Sequence, residues 1–231
     1  MEWPRRHPIS KKTCIVMQKR LFGLALGLAS AAAFAQTPDC AALSAKVATA
    51  LPGVKLLAEA VAADATKPPG ATAGPTLATH CKVTGRMNER TGQDGKPCYI
   101  GFEMRLPANW NRRFLYQGGG GNNGMVRLAI DPQTTPVFAL NKGFAVVTTD
   151  AGHQGPTADF GFDPIARTDN AYNAHDRVAV TAKDIIRNFY SKGPDTSYFI
   201  GCSGGGRQGM VFTQRFPSYF DAPCPTHAMC F

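Results

Sequence analysis

Ser197-Tyr198-Phe199-Ile200-Gly201-Cys202-Ser203-Gly204-Gly205-Gly206-Arg207-Gln208-Gly209 is the stretch that decides the fold. Its first four residues, rich in aromatic and β-branched character, read as a strand, and Arg207 to Arg215 reads as a helix that stops before Pro217. Between them Gly201-Cys202-Ser203-Gly204-Gly205 matches G-x-S-x-G, in the strand, turn and helix setting that gives this motif its meaning. At so sharp a turn the serine backbone is strained, and side chains two positions before and after it would strike the neighbouring strand and helix. The hydroxyl then faces a cleft at the positive end of a helix, where free N–H groups stabilise developing negative charge. Ser203 is therefore the candidate nucleophile and Gly204 a candidate oxyanion-hole donor.

Upstream, Ala171, Ala174, Val178, Ala182, Ile185 and Phe189 fall at steps of three and four. They predict a helix over Ala171 to Tyr190, capped by Asp169 or Asn170 and stopped by Gly193-Pro194. Before it, Gly143 to Asp150 is a β-branched strand of the buried, parallel-sheet kind, and Arg113 to Gln117 is a short strand that runs into four glycines. Cys81 to Gly85 and Tyr99 to Leu106 read as a hairpin joined through Thr91-Gly92-Gln93-Asp94-Gly95. Gln36 to Ala65 opens with a short Ala-rich helical stretch, broken by Lys67-Pro68-Pro69-Gly70. This order of elements predicts an α/β protein with a mostly parallel sheet. Gly118-Gly119-Gly120-Gly121 lets bare backbone approach a substrate oxygen, so Gly119, Gly120 and Gly121 join Gly204 as oxyanion-hole candidates. A phosphate-cradling loop is the competing reading, but no G-K-[ST] ending follows.

The net charge of +9 is shared unevenly: residues 1–35 carry six of the 25 Lys and Arg and one of the 16 Asp and Glu. The rest has an ordinary balance and no basic run or zinc-finger spacing, so a nucleic-acid partner is not expected. Gln18-Lys19-Arg20, the apolar run Leu21 to Phe34 and Ala33-Phe34-Ala35 read as a signal peptide, with Met17 as the expected true start and Gln36 as the first exported residue. A secreted or periplasmic protein with no membrane contact after cleavage follows from this. Beyond Cys14 lie Cys40, Cys81, Cys98, Cys202, Cys224 and Cys230, an even number suited to an oxidising compartment, and composition alone selects no pairing.

At this point the chain resembles a family. His80 to Gly85, Gly101 to Pro107, Phe114 to Gly120, Thr149 to His153 and above all the stretch from Ser197 to Gly209 look like the tannase and feruloyl esterase family, over roughly Cys40 to Asp221. Gln117 stands where the esterase H-G-G-G motif has His. The resemblance implies a secreted α/β-hydrolase acting on small esters of aromatic acids, with Ser203 as nucleophile. It also implies a Cys40–Cys81 disulfide, and a role for Cys202 as a tether to a cysteine beside the catalytic histidine. In the family the chain continues through a lid domain with a calcium site and through the strands that bear the acid and base. Here it stops 28 residues after Ser203. The expectation is thus a partial α/β-hydrolase: signal over 1–35, an N-terminal segment over 36–79, the hydrolase part over 80–221 and an aberrant tail over 222–231. No lid, no cofactor and no metal site are expected, the Cys202 partner is missing, and the chain as given has little activity. Asp221 and His227 follow Ser203 in triad order with no room for the intervening strands. The alternative is an exported, non-catalytic fragment that binds small aromatic molecules.

The remaining polar residues divide more simply. His153, in a loop near the active-site end of its strand, either contacts substrate or structures the loop. His175 and Asp176 are expected to be solvated, Arg207 and Gln208 to pack or cap, and His80 to pack.

Overall fold

The computed structural model describes residues 38–63, 76–130 and 137–223. Seven strands form one sheet in the order β1-β2-β3-β5-β4-β6-β7. β1 (Val54–Val61), β2 (His80–Thr91) and β3 (Pro97–Pro107) form an antiparallel meander, with β3 antiparallel to β5 (Ala145–Thr149). From there the sheet turns parallel through β4 (Arg113–Gln117), β6 (Thr196–Ile200) and β7 (Ala222–Pro223). The α/β class holds, and the sheet is mixed, with as many antiparallel as parallel pairings where a mostly parallel one was expected.

The expected hairpin is β2–β3. β1 was not foreseen: its Val-Lys-Leu-Leu-Ala-Glu-Ala-Val composition favours helix, and pairing with β2 along its whole length overrides that propensity. Ala222-Pro223, assigned to the tail, pair with Tyr198 and Phe199. Pro223 is tolerated there because β7 is the outermost strand among the described residues.

α1 (Cys40–Ala50) starts at Asp39, whose carboxylate accepts from the N–H groups of Ala41 and Ala42. It buries Leu43 and Val47, one turn apart. The long helix begins earlier than its apolar stripe suggests. Asp163 caps α2 (Pro164–Thr168), with Pro164 in the first turn where its missing N–H costs nothing. A π turn over Asp169–Asn173 then leads into α3 (Ala174–Tyr190). Asp169 and Asn170, expected as caps, are buried within this continuous helical run.

α1, α3 and α4 (Gly204–Arg215) pack one face of the sheet, where Phe102, Met104, Phe114, Tyr116, Val147, Phe199 and Phe212 form the main core. The intervening Leu115, Val146 and Ile200 point to the other face and meet Ala129 and Ala139, the alternation a strand imposes. On that second face a buried polar group is fully spanned. Glu103 accepts from Arg105 Nε at 2.8 Å and from Ala129 N–H at 3.1 Å, and Arg105 reaches His80 Nε2 at 3.0 Å. His80 Nδ1 lies 2.7 Å from Ala78 O, so the ring donates at Nδ1 and accepts at Nε2. Burial pushes its pKa below the usual histidine value. His80 packs, as expected. A Cys40–Cys81 disulfide, with Cα atoms 5.6 Å apart, ties α1 to β2. No helix among the described residues is long and apolar enough to cross a membrane. The segment read as a signal peptide, 1–35, lies outside the described residues.

Candidate active site

β6 ends at Ile200 and α4 begins at Gly204, so three residues make the turn. Ser203 sits at its apex with φ 55° and ψ −116°, a strained conformation for a residue with a side chain, and it is exposed. The flanking glycines are required sterically. A Cβ on Gly201 would lie 2.6 Å from the carbonyl carbon of Gly205, and one on Gly205 would lie 2.6 Å from Gly119 O. The elbow therefore presses backbone to backbone against the glycine loop that follows β4, and Gly118 N–H donates to Ile200 O across the two strand ends.

Gly204 opens α4, so its N–H has no intrahelical acceptor. Its α-carbon side faces Gly121, whose carbonyl oxygen would lie 2.3 Å from a Cβ placed on Gly204. Gly119 is a correction to the sequence reading: its N–H donates to Gln208 Oε1 at 3.1 Å and is not offered to a substrate. Gly120 and Gly121 stay candidates, beside Gly204, for the loop donors.

Gln208 is the residue that sequence reasoning undervalued. It is fully buried on α4, and both ends of its carboxamide are used, Oε1 by Gly119 and Nε2 by Asn123 Oδ1 at 3.0 Å. Asn123 in turn donates to Thr149 O at 3.2 Å and, through its own N–H, to Gly120 O at 3.1 Å. One side chain thus braces the glycine loop against the elbow helix and the end of β5. A signal for it existed: Gln208 lies one turn from both Gly204 and Phe212, on the inward face of α4. Arg207, by contrast, reaches outward to Asn170 Oδ1 at 3.2 Å and ties the elbow helix to the π turn.

The described histidines are held by groups other than Ser203. His153, a possible substrate contact by sequence, is buried, stacked on Phe160 at 4.0 Å, with Nε2 2.7 Å from Asn122 O. It structures the loop beneath the glycine turn, and burial lowers its pKa. His175, expected in solvent, is fully buried between Tyr116, 3.3 Å from Nδ1, and Phe212. Burial, helped by the nearby Arg207 charge, brings its pKa down to about 3. Its neighbour Asp176 accepts from the Tyr219 hydroxyl at 2.6 Å. Asp150, at the end of β5, is raised to about 7 because burial outweighs the donors it accepts from, the N–H groups of Gly101 and Gly152 and the amide of Gln154. Asp221 clamps the start of β6, accepting from Ser197 N–H at 2.7 Å, at the opposite end of the strand from Ser203. His227, Cys224 and Cys230 lie outside the described residues. Cys202 is half-buried beside the nucleophile position.

A family model for tannase and feruloyl esterase matches residues 81–227. The chain belongs to this family. The mono(2-hydroxyethyl) terephthalate hydrolase of Piscinibacter sakaiensis is 42% identical to it over 164 residues, which are 66% of this chain and 27% of that protein. Feruloyl esterase B of Aspergillus niger is 38% identical over 142 residues, 61% of this chain and 25% of the esterase. The crystal structure of feruloyl esterase B from Aspergillus oryzae is similar with a TM-score of 0.64 at 28% identity, covering 79% of this chain and 36% of that one. The chain therefore spans about a quarter of the length of these two curated relatives.

Proposed function

We propose that the chain carries the nucleophile and the oxyanion hole of a serine-dependent carboxylic-ester hydrolase acting on small aromatic esters outside the cytoplasm. The observation that carries this reading is the positive φ of Ser203 at a strand-to-helix turn pressed against a glycine loop. Ser203 Oγ attacks the ester carbonyl. The N–H groups of Gly204 and of Gly120 or Gly121 hold the oxygen that becomes negative. A base must take the serine proton and deliver it to the leaving alcohol. His80, His153 and His175 are each buried and held by other groups, so none of them is assigned as that base. No cofactor enters this reaction. The likeness to a terephthalate monoester hydrolase and to feruloyl esterase B supports an ester as substrate, and the aromatic preference follows the same likeness.

The engagement of all three described histidines also favours a second reading, an exported binder without catalysis. A fluorophosphonate probe separates the two when imidazole is supplied in solution as a surrogate base. Labelling of Ser203 that rises with imidazole and disappears in Ser203→Ala is the expected result. Absence of labelling at every imidazole concentration would leave the binder.

A further inference from the structure

The glycine loop closes on itself in a tight turn. Asn123 N–H donates to Gly120 O at 3.1 Å, with Gly121 at a φ of 56° and Asn122 between them. A trans peptide points its C=O and its N–H to opposite sides, so the bond that draws Gly120 O into the turn directs Gly121 N–H out of it. The same peptide packs on the elbow: a Cβ on Gly204 would lie 3.1 Å from Gly121 N and 3.3 Å from the Gly120 carbonyl carbon. Where the Gly121 donor points therefore depends on how this turn is held against α4.

Two side chains hold the turn at its far peptide. Asn122 O accepts from His153 Nε2 at 2.7 Å and from Asn170 Nδ2 at 3.3 Å. His153 belongs to the loop after β5. Asn170 is buried in the π turn, and its other end is used as well: Oδ1 accepts from Arg207 Nη2 at 3.2 Å, and its backbone carbonyl accepts from Nη1 and Nη2 of the same guanidinium at 3.4 Å. The amide fits only this way round, because a guanidinium offers no acceptor and a carbonyl no donor. Arg207 lies in the first turn of α4, which Gly204 opens. Gln208 links loop and helix directly, whereas Asn170 fastens both to a third element. We infer that Asn170 is a positioning residue for the oxyanion hole: its carboxamide sets the Gly120–Asn123 turn against α4 and so aims Gly121 N–H and Gly204 N–H at one oxygen. This rests on the ester-hydrolase reading, and it gives the π turn a purpose, since such turns recur at functional sites.

The test labels the full chain with a fluorophosphonate, with imidazole as the base. Ser203 Oγ bonds to phosphorus, the P–F bond breaks, fluoride leaves, imidazole takes the proton, and the phosphoryl oxygen occupies the oxyanion hole. Varying the probe concentration separates its binding constant from the maximal labelling rate. Asn170→Ala is expected to leave the binding constant unchanged, to lower the maximal rate by about ten- to a hundredfold, and to speed amide exchange at Gly121. Asn173→Ala is the control for loosening alone, because the Asn173 carboxamide donates to Asp169 Oδ1 within the same π turn. It should lower the urea midpoint and keep the labelling rate. Asn170→Asp keeps an acceptor for Arg207 and has no N–H for Asn122, so it should lose as much rate as Asn170→Ala, and it carries the test should Asn170→Ala not fold. An unchanged maximal rate in the Asn170 variants, or an equal loss in Asn173→Ala, would overturn the inference. If even the unsubstituted chain takes no label, the ester-hydrolase reading fails by itself, and exchange at Gly121 and Gly204 then decides the clamp: acceleration in the Asn170 variants upholds it and unchanged exchange overturns it.

Discussion

At the scale of single residues, the elbow was legible because its constraint is local: Gly201 and Gly205 are fixed by backbone contacts that the motif spacing already encodes. That Gln208 packs was legible as well, but its partner was not, since Gly119 is 89 positions away and no periodicity links them. Removal of Gln208 is a clean test of the brace. Gln208→Leu strands the Gly119 N–H and Asn123 Oδ1 in a dry site at about 1–3 kcal/mol for each group, so the urea midpoint should fall and amide exchange at Gly119 should accelerate. A midpoint equal to that of the unsubstituted chain would show the brace to be idle. His175 carries a second prediction. In the unfolded chain a histidine protonates near its ordinary value of 6.5, whereas the buried ring stays neutral down to about 3. The unfolded state therefore binds the extra proton as pH falls through this window, and stability drops by about 1.4 kcal/mol per pH unit from this group. Asp150 acts in the opposite sense. Its folded pKa of about 7, against an ordinary 3.8, removes stability as pH rises between those values. In His175→Gln the stability measured by urea unfolding between pH 4.5 and 6 should become less dependent on acid by roughly one proton, while Asp150→Asn should make the loss on acidification steeper. Parallel slopes in all three proteins would refute both assignments.

Among the elements, the strands that are buried on both faces, β4, β5 and β6, were readable from apolar runs, and the hairpin from its Gly-Gln-Asp-Gly loop. β1 was hidden because an edge strand buries little and its residues are good helix formers. The start of the long helix was misplaced for a different reason: the apolar stripe begins at Ala171, inside the π turn, but Asp163-Pro164 is a complete start signal one helical segment earlier. α1 shows how an element is held by more than its face. Leu43 and Val47 bury it, and the Cys40–Cys81 bond fastens its first residue to β2 across a sequence separation of 41. In the chain-entropy model closing such a loop contributes about 4 kcal/mol. Replacing the pair by Cys40→Ser with Cys81→Ala should lower unfolding stability by about 2–5 kcal/mol, and non-reducing peptide maps of the unsubstituted protein should recover the linked peptides. Recovery of both cysteines as free thiols, or an unchanged stability in the double variant, would contradict the role given to the bond.

At the scale of the molecule, the described residues bring the candidate nucleophile and the candidate oxyanion donors together. Backbone contacts set Ser203, Gly204 and the glycine loop within one rigid junction of β4, β6 and α4, and Gln208 and Arg207 tie that junction to the loop beneath it and to the π turn. The proton relay is a separate matter, because a serine hydroxyl is a weak nucleophile at neutral pH and depends on an adjacent base. With His80, His153 and His175 each held by other partners, these 231 residues are expected to hydrolyse methyl ferulate at a rate that Ser203→Ala does not change, measured without added imidazole. Binding and the oxyanion hole alone still leave about 10³ to 10⁴ over water in triad hydrolases that have lost a member, so the comparison with Ser203→Ala, and not with buffer, is the informative one. Robust turnover that vanishes in Ser203→Ala would mean that a base reaches the serine, and His227→Ala would then decide whether it comes from the last residues of this chain. Should His227→Ala keep that turnover, the base must be supplied by another molecule, and the rate per chain would rise with protein concentration.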